Sequence, residues 1–100
     1  MKRKLNASLE EEEELTDAKL DRIAGQIAKS WKQVGRNLEI GEQKIAQIDQ
    51  NNQHEGEQEK GYQMFMVWKE MDPDNFSAEI LGRALYRCDL KFTARQFLGY

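Results

Sequence analysis

The chain has 100 residues, of which 39% are hydrophobic and 33% are charged, and this size and balance are those of one globular domain. The net charge is −3, but the residues after position 15 include 12 basic and 13 acidic side chains, which argues against nucleic acid as the main partner. No apolar run approaches the roughly 18 residues of a membrane span, and no apolar signal segment follows Met1. Because Cys88 has no second cysteine to pair with, we expect a cytoplasmic protein, or a cytoplasmic fragment of a larger one, without direct membrane contact.

Residues 1–15 are predicted to be a disordered acidic lead-in. Positions 10–14 are five consecutive glutamates, which repel one another and have little apolar surface to bury. The segment is interpreted either as a linker or as an acidic interaction tail. The folded domain is predicted to span residues 16–98, and residues 99–100 form the C-terminal end.

Two helices are predicted in the first part of the domain. The first begins after Thr16, which is a favourable N-cap, and Ser30 and Gln33 have the spacing of a capping box that opens the second. Both helices carry apolar residues at helical spacing. The residues expected to face the core are Leu20, Ile23, Ala24, Ile27, Ala28, Trp31, Val34, Gly35 and Leu38.

A third helix begins after Gly41 and directs Ile45 and Ile48 inward, and the polar residues 49–56 are predicted to be a loop. The fourth helix, residues 57–71, carries the densest apolar stripe of the chain and is therefore predicted to be the central element. Within this stripe, Gly61 permits the close approach of a neighbouring helix. The stripe consists of Gly61, Met64, Phe65, Trp68 and Met71.

Pro73 ends the fourth helix, and Ser77 and Asp89 are predicted to cap a fifth and a sixth. The inward residues of the last two helices are Ile80, Leu81, Ala84, Leu85, Cys88, Leu90, Ala94, Phe97 and Leu98, with Phe92 on a flank. No segment alternates polar and apolar residues over the length of a strand. The sequence thus predicts an all-α fold of six short amphipathic helices.

The residues that could carry chemistry are scattered. His54 lies in a polar stretch without a second histidine or a cysteine nearby, and Cys88 lies on an apolar stripe, where a buried and unreactive thiol is expected. The glycines form no phosphate-binding loop. The carboxylates at 55, 57 and 59 have no apolar setting that would raise a pKa. We therefore expect no enzyme, no metal and no cofactor.

The apolar pattern resembles the death domain, a family whose fold is an antiparallel bundle of six helices. The resemblance is carried by residues 20–23, 31–38, 45–48, 59–68 and 77–85, and by the two tryptophans, Trp31 and Trp68, on either side of Ile45 and Ile48. Residues 82–88 and the helix that follows are most similar to the death domain of Fas-associated death-domain adaptors. Receptor-tail and ankyrin-type death domains share the same framework.

This resemblance implies a module that binds other death-domain proteins, either receptor tails or adaptors, and that can also associate with itself to build apoptotic or inflammatory complexes. Basic residues of the first two helices and acidic residues of the third and fourth are expected to form separate faces that pair between molecules. The candidate protein-binding residues are Lys29, Lys32, Arg36, Glu42, Lys44, Asp49, Glu57, Glu59, Arg83 and Arg87.

The alternative function is a helical nucleic-acid-binding domain. Its support is a series of basic residues at four-residue spacing through the fifth and sixth helices: Arg83, Arg87, Lys91 and Arg95. A sharp turn at Asp89 would split this series into two patches.

Overall fold

The computed structural model describes residues 15–99, which form six α-helices and one short 3-10 turn and contain no β-strand. The sequence prediction of an all-α, six-helix fold is confirmed. The helices are α1 (Asp17–Gln26), α2 (Trp31–Asn37), α3 (Glu42–Asn51), α4 (Glu57–Met71), α5 (Ala78–Arg87) and α6 (Lys91–Leu98), and the 3-10 turn spans Ala28–Ser30 between α1 and α2. The predicted lead-in lies outside the described residues except for Leu15, which is buried.

Helix α4 is the central element of the bundle, as predicted, and packs against α1, α2, α3 and the 3-10 turn. At Gly61 the neighbouring backbone comes so close that a Cβ atom there would lie 3.4 Å from the Cβ atoms of both Ala24 and Trp31. The inclusion of Met71 in the buried stripe is wrong, because this last residue of α4 is 49% exposed. The buried part of the stripe is Gly61, Met64, Phe65 and Trp68.

The core contains the large side chains predicted from helical spacing. Trp68 is 1% exposed, and its ring centroid lies 4.8 Å from that of Phe76 and 6.5 Å from that of Phe65. The other fully buried large side chains are Phe65, Trp31, Leu20, Ile23, Ile27, Val34, Ile45, Met64, Leu81 and Leu85. Ala28, Ile80, Cys88, Leu90 and Phe97 are only partly buried, and Phe92 is 73% exposed on its flank.

Two of the predicted helix caps are confirmed. The hydroxyl oxygen of Thr16 accepts the amide N–H of Lys19 at 3.1 Å, and that of Ser77 accepts the amide N–H of Ile80 at 3.2 Å. The capping box at Ser30 is wrong, since its side chain makes no capping hydrogen bond. The 3-10 turn runs directly into α2, so Ser30 has φ −118° and ψ 15° instead of the extended backbone that places an N-cap hydroxyl over the helix end.

Asp89 does not cap α6 and instead ends α5 in a left-handed conformation, with φ 61°. The amide of Asp89 donates to the carbonyl of Tyr86, and the amide of Leu90 donates to that of Leu85, which is the Schellman pattern of a helix C-terminus. The end of α2 repeats the pattern around Glu39, whose φ is 65°. The chain therefore turns sharply at both corners, and the basic residues of α5 and α6 lie on separate helices.

The predicted loop 49–56 begins too early, because α3 continues to Asn51. The side-chain amide of Asn52 donates to the carbonyl of Ile48 at 2.8 Å and closes the last turn. Asp49 is therefore held on a helix, on the side that faces α2 and α4.

Candidate protein-interaction surface

A network of charged side chains joins α2, α3 and α4. The Lys60 ammonium, whose side chain is only 12% exposed, lies 2.8 Å from Asp49 and 3.4 Å from Glu57. Lys32 contacts the other oxygen of Asp49 at 2.9 Å. Hydrogen bonds from Lys60 and Lys32 hold the pKa of Asp49 below its ordinary value, and the bond to Asp49 raises the pKa of Lys60. Asp49 thus stays ionised and connects α2, α3 and α4 through ion pairs.

Glu57 belongs to the same network through the indole of Trp31. The Nε1–H of this buried tryptophan donates to a Glu57 carboxylate oxygen at 3.1 Å. Buried indole N–H groups require such a partner. Glu57, predicted from the sequence as a binding residue, therefore satisfies a polar atom at the edge of the core.

Arg36 and Glu42 form an exposed ion pair between α2 and α3. The hydrogen bond between them raises the pKa of Arg36 and lowers that of Glu42, and both side chains are about half exposed or more. The expectation of separate basic and acidic faces is therefore wrong here. Basic residues of α2 lie beside acidic residues of α3 within one molecule, because the two helices pack against each other.

Lys29 and Lys44 are exposed, and no ion pair of either lysine occurs within residues 15–99. Lys29 lies in the 3-10 turn, whereas Lys44 lies on α3 beside a shallow concavity of about 360 Å³ lined also by Gly41, Gln43 and Gln47. Together with the paired Lys32 and Arg36, these two lysines are the exposed basic side chains that the sequence predicted for α2, α3 and the preceding turn.

The remaining predicted residues lie elsewhere in the bundle. Glu59 accepts a hydrogen bond from Gln63 at 2.7 Å within α4, and Arg83 pairs with Glu79 at 2.8 Å within α5. Arg87 forms no ion pair in the described part of the chain. Apart from Lys29 in the 3-10 turn, the predicted binding residues hence lie on α2 to α4, with Arg83 and Arg87 on α5.

The chemistry-bearing side chains of the described residues do not converge. No group of three His, Cys, Asp or Glu residues within positions 15–99 has a geometry that could hold a metal ion. Cys88 is half-buried, burial raises its thiol pKa, and the side-chain amide of Asn37 lies 3.3 Å from its sulfur. His54 is exposed, as expected for a residue of a polar loop. Among the helices of residues 15–99, none has both the length and the apolar content that crossing a bilayer would require.

Comparison with known proteins identifies the family. The family model described as Death domain matches residues 17–100, which is most of the chain. The chain is a death domain. Over 54 residues it is 39% identical to human receptor-interacting serine/threonine-protein kinase 1. That match covers 54% of this chain but only 8% of the kinase.

Death domains are non-catalytic interaction modules. Membership in the family therefore supports a protein-interaction role for this domain. Sequence analysis missed Lys60 and the indole donor of Trp31. The available signal was the position of Lys60 one turn before Met64, at the border of the apolar stripe, where a lysine stem is buried while its ammonium seeks carboxylates.

Proposed function

We propose that this death domain is a non-enzymatic cytoplasmic module that recruits other death-domain proteins through the charged surface of α2 and α3. We define this surface by five exposed residues that lie on two packed helices and the turn that precedes them: Lys29, Lys32, Arg36, Glu42 and Lys44. The observation that supports the proposal most strongly is the Arg36–Glu42 pair, because it holds an arginine in a fixed orientation while leaving it about half exposed.

The geometry of Arg36 leaves it able to bind a partner. Its Nε–H is engaged by Glu42, and a guanidinium carries four further N–H donors in a planar fork. A carboxylate of a partner can therefore receive a bidentate hydrogen bond without breaking the internal pair. Because Glu42 already restricts the side chain, less conformational entropy is lost on binding.

The charges around Arg36 favour an acidic partner surface. Lys29 and Lys44 have no internal counter-ion in the described chain and attract carboxylates over the Debye length. Such steering raises the association rate and depends on salt. The partner expected from this chemistry is another death domain with an exposed acidic helix face.

We further propose that the domain belongs to an adaptor or a receptor tail that assembles an apoptotic or inflammatory complex. One observation supports it, the 39% identity over 54 residues to a kinase whose name describes it as receptor-interacting. The resemblance of residues 82–88 to Fas-associated death-domain adaptors, inferred from the sequence alone, points the same way. Recruitment would concentrate attached effectors, so no chemistry is required of the domain itself.

The proposal is tested by affinity capture from a cytosolic extract, with bound proteins identified by mass spectrometry. We expect wild type to recover a death-domain protein and Arg36→Glu to lose it, while the melting temperature stays nearly unchanged because the residue is on the surface. The matched control is the double variant Arg36→Glu with Glu42→Arg, which keeps an ion pair but reverses its direction.

Loss of capture by both variants would assign the effect to the guanidinium at position 36, because the double variant keeps an internal ion pair and the wild-type net charge. Unaltered capture by Arg36→Glu would remove α2 from the interface. A shift of labelled DNA at about 150 mM salt, abolished by Arg87→Glu, would support the nucleic-acid alternative instead.

A further inference from the structure

The exposed face of α5 carries a mainly apolar concavity with two arginines at its edge. The concavity has a volume of about 410 Å³ and is lined by Gly82, Arg83, Tyr86 and Arg87. None of these described lining residues is a carboxylate. Arg83 is paired with Glu79 at 2.8 Å, whereas no ion pair of Arg87 occurs within residues 15–99. The concavity is therefore suited to an apolar side chain that has negative charge beside it.

Arg87 lies near the point where the chain enters the bundle. It also lines a smaller concavity, of about 200 Å³, together with Asp72, the residue that follows α4. Lys69, in the last turn of the same helix, lies 3.9 Å from Asp17, the first residue of α1. The start of α1 and the end of α5 are therefore both beside the last turn of α4.

The segment before α1 has the composition that the concavity on α5 can accept. Leu9 is followed by five consecutive glutamates at positions 10–14, and Leu15 is buried in the core. An extended chain spans about 3.3–3.6 Å per residue, so Leu9 can lie up to about 20 Å from Leu15. Helix α1 packs against α6, which packs against α5, so two helix spacings of about 8–10 Å separate α1 from α5. The segment is thus long enough to reach the concavity.

We propose that residues 9–14 dock on α5 of the same molecule, with Leu9 in the concavity and the following carboxylates on Arg87. Because the segment is tethered at Leu15, its effective concentration is on the order of millimolar, at which even a weak contact is occupied. The docked segment covers the face of α5 and is released as salt rises. This inference does not rest on the proposed function, since it leaves the charged surface of α2 and α3 open.

Paramagnetic relaxation in the full chain tests the contact. A nitroxide is attached through Ser8→Cys, in a chain that also carries Cys88→Ser so that a single thiol reacts. We expect the nitroxide to broaden the amide signals of residues 82–87, relative to the same chain with the nitroxide reduced. The broadening should be lost at about 1 M salt, where the Debye length is about 3 Å.

Variants of the same labelled chain test the charges and the apolar anchor. Changing positions 10–14 to glutamine keeps the length of the segment but removes its charge, and should abolish the broadening. Arg87→Glu and Leu9→Ser should each reduce it. The control is Arg22→Glu, which makes the same charge change on the exposed side of α1 and should leave the broadening unaltered. Loss of broadening in Arg22→Glu with retention in Arg87→Glu would place the segment on α1 and overturn the proposal.

A mixing experiment distinguishes contact within one molecule from contact between two. Chains that carry the nitroxide are mixed with isotope-labelled chains that lack it, and only the isotope-labelled chains are observed. We expect no broadening in the mixture, and broadening of residues 82–87 there would assign the segment to a second copy and overturn the proposal.

Absence of broadening at low salt in the singly labelled chain, shown by circular dichroism to be folded, would also overturn the proposal. Because partner capture is read from Arg36→Glu and docking of the segment from Arg87→Glu, the two proposals can fail separately.

Discussion

Replacing Trp68 by alanine removes the largest side chain at the junction of α4 with the α4–α5 turn. The ring is 1% exposed and packs on Phe76 and Phe65 at centroid distances of 4.8 and 6.5 Å. Both contacts are tilted, an arrangement that aromatic pairs favour. The truncation therefore removes the area that the indole buries and also two aromatic pairings.

The expected loss follows from that area. A buried tryptophan covers about 150–250 Å², which at about 25 cal/mol per Å² corresponds to roughly 4–6 kcal/mol. The unfolded chain already buries part of this surface, which lowers the figure. We expect Trp68→Ala to reduce the free energy of unfolding by about 3–5 kcal/mol, as for other large aromatic truncations in cores.

The measurement is urea unfolding followed by far-UV circular dichroism, because the substitution changes the fluorescence. With a slope of about 2 kcal/mol per M, a loss of about 4 kcal/mol lowers the midpoint by about 2 M. The control is Phe92→Ala, since Phe92 is 73% exposed and its truncation should stay within about 0.5 kcal/mol. A loss below about 1 kcal/mol at Trp68 would refute its placement in the core.

Two further predictions concern helix packing and the charged network. Gly61→Leu should lower the free energy of unfolding, measured in urea, by at least about 1–3 kcal/mol, because a Cβ atom at this position would already lie 3.4 Å from the Cβ atom of Trp31. If the variant is as stable as the wild type, α4 lies farther from its neighbours than the structure shows. Asp49 has a pKa below its ordinary value, so its contribution to stability is fully present above that ordinary value and is lost as the pH falls through the folded pKa. Below about pH 4, the free energy of unfolding of the wild type should therefore fall more steeply with pH than that of Asp49→Asn. Equal pH dependence of the two proteins would show that Asp49 is not paired with Lys60 in the folded state.

The helices that were predicted correctly are those whose sequence signals lie within the helix itself or directly beside its ends. Helix α4 was predicted with its observed limits, 57–71, because its stripe is continuous and Pro73 follows its end. Thr16 and Ser77 were recognised as caps for a similar reason, since a hydroxyl before a helical run bonds only to its own first turn.

The features that were missed depend on residues far apart in the chain. Aspartate is a residue type that favours N-cap positions, but the C-terminal motif of α5 places Asp89 in the left-handed region. The ion pair of Lys60 with Asp49 joins α4 to α3 and exists only because both helices pack on the same core. The sequence could therefore group Asp49 with the acidic residues near α3, although it assigned the residue to a loop, and charge spacing could not show that its partner belongs to the same molecule.

The two left-handed corners differ in a way that bears on how the sequence can change. Aspartate tolerates this conformation through local hydrogen bonding, whereas a glutamate such as Glu39 is strained in it by roughly 1–2 kcal/mol. A glycine at position 39 would relieve that strain, but it would also remove an exposed carboxylate from the concavity that Arg87 and Asp72 line. Position 39 is thus a site where one substitution would both relieve backbone strain and remove a negative charge from the surface between α2 and α5.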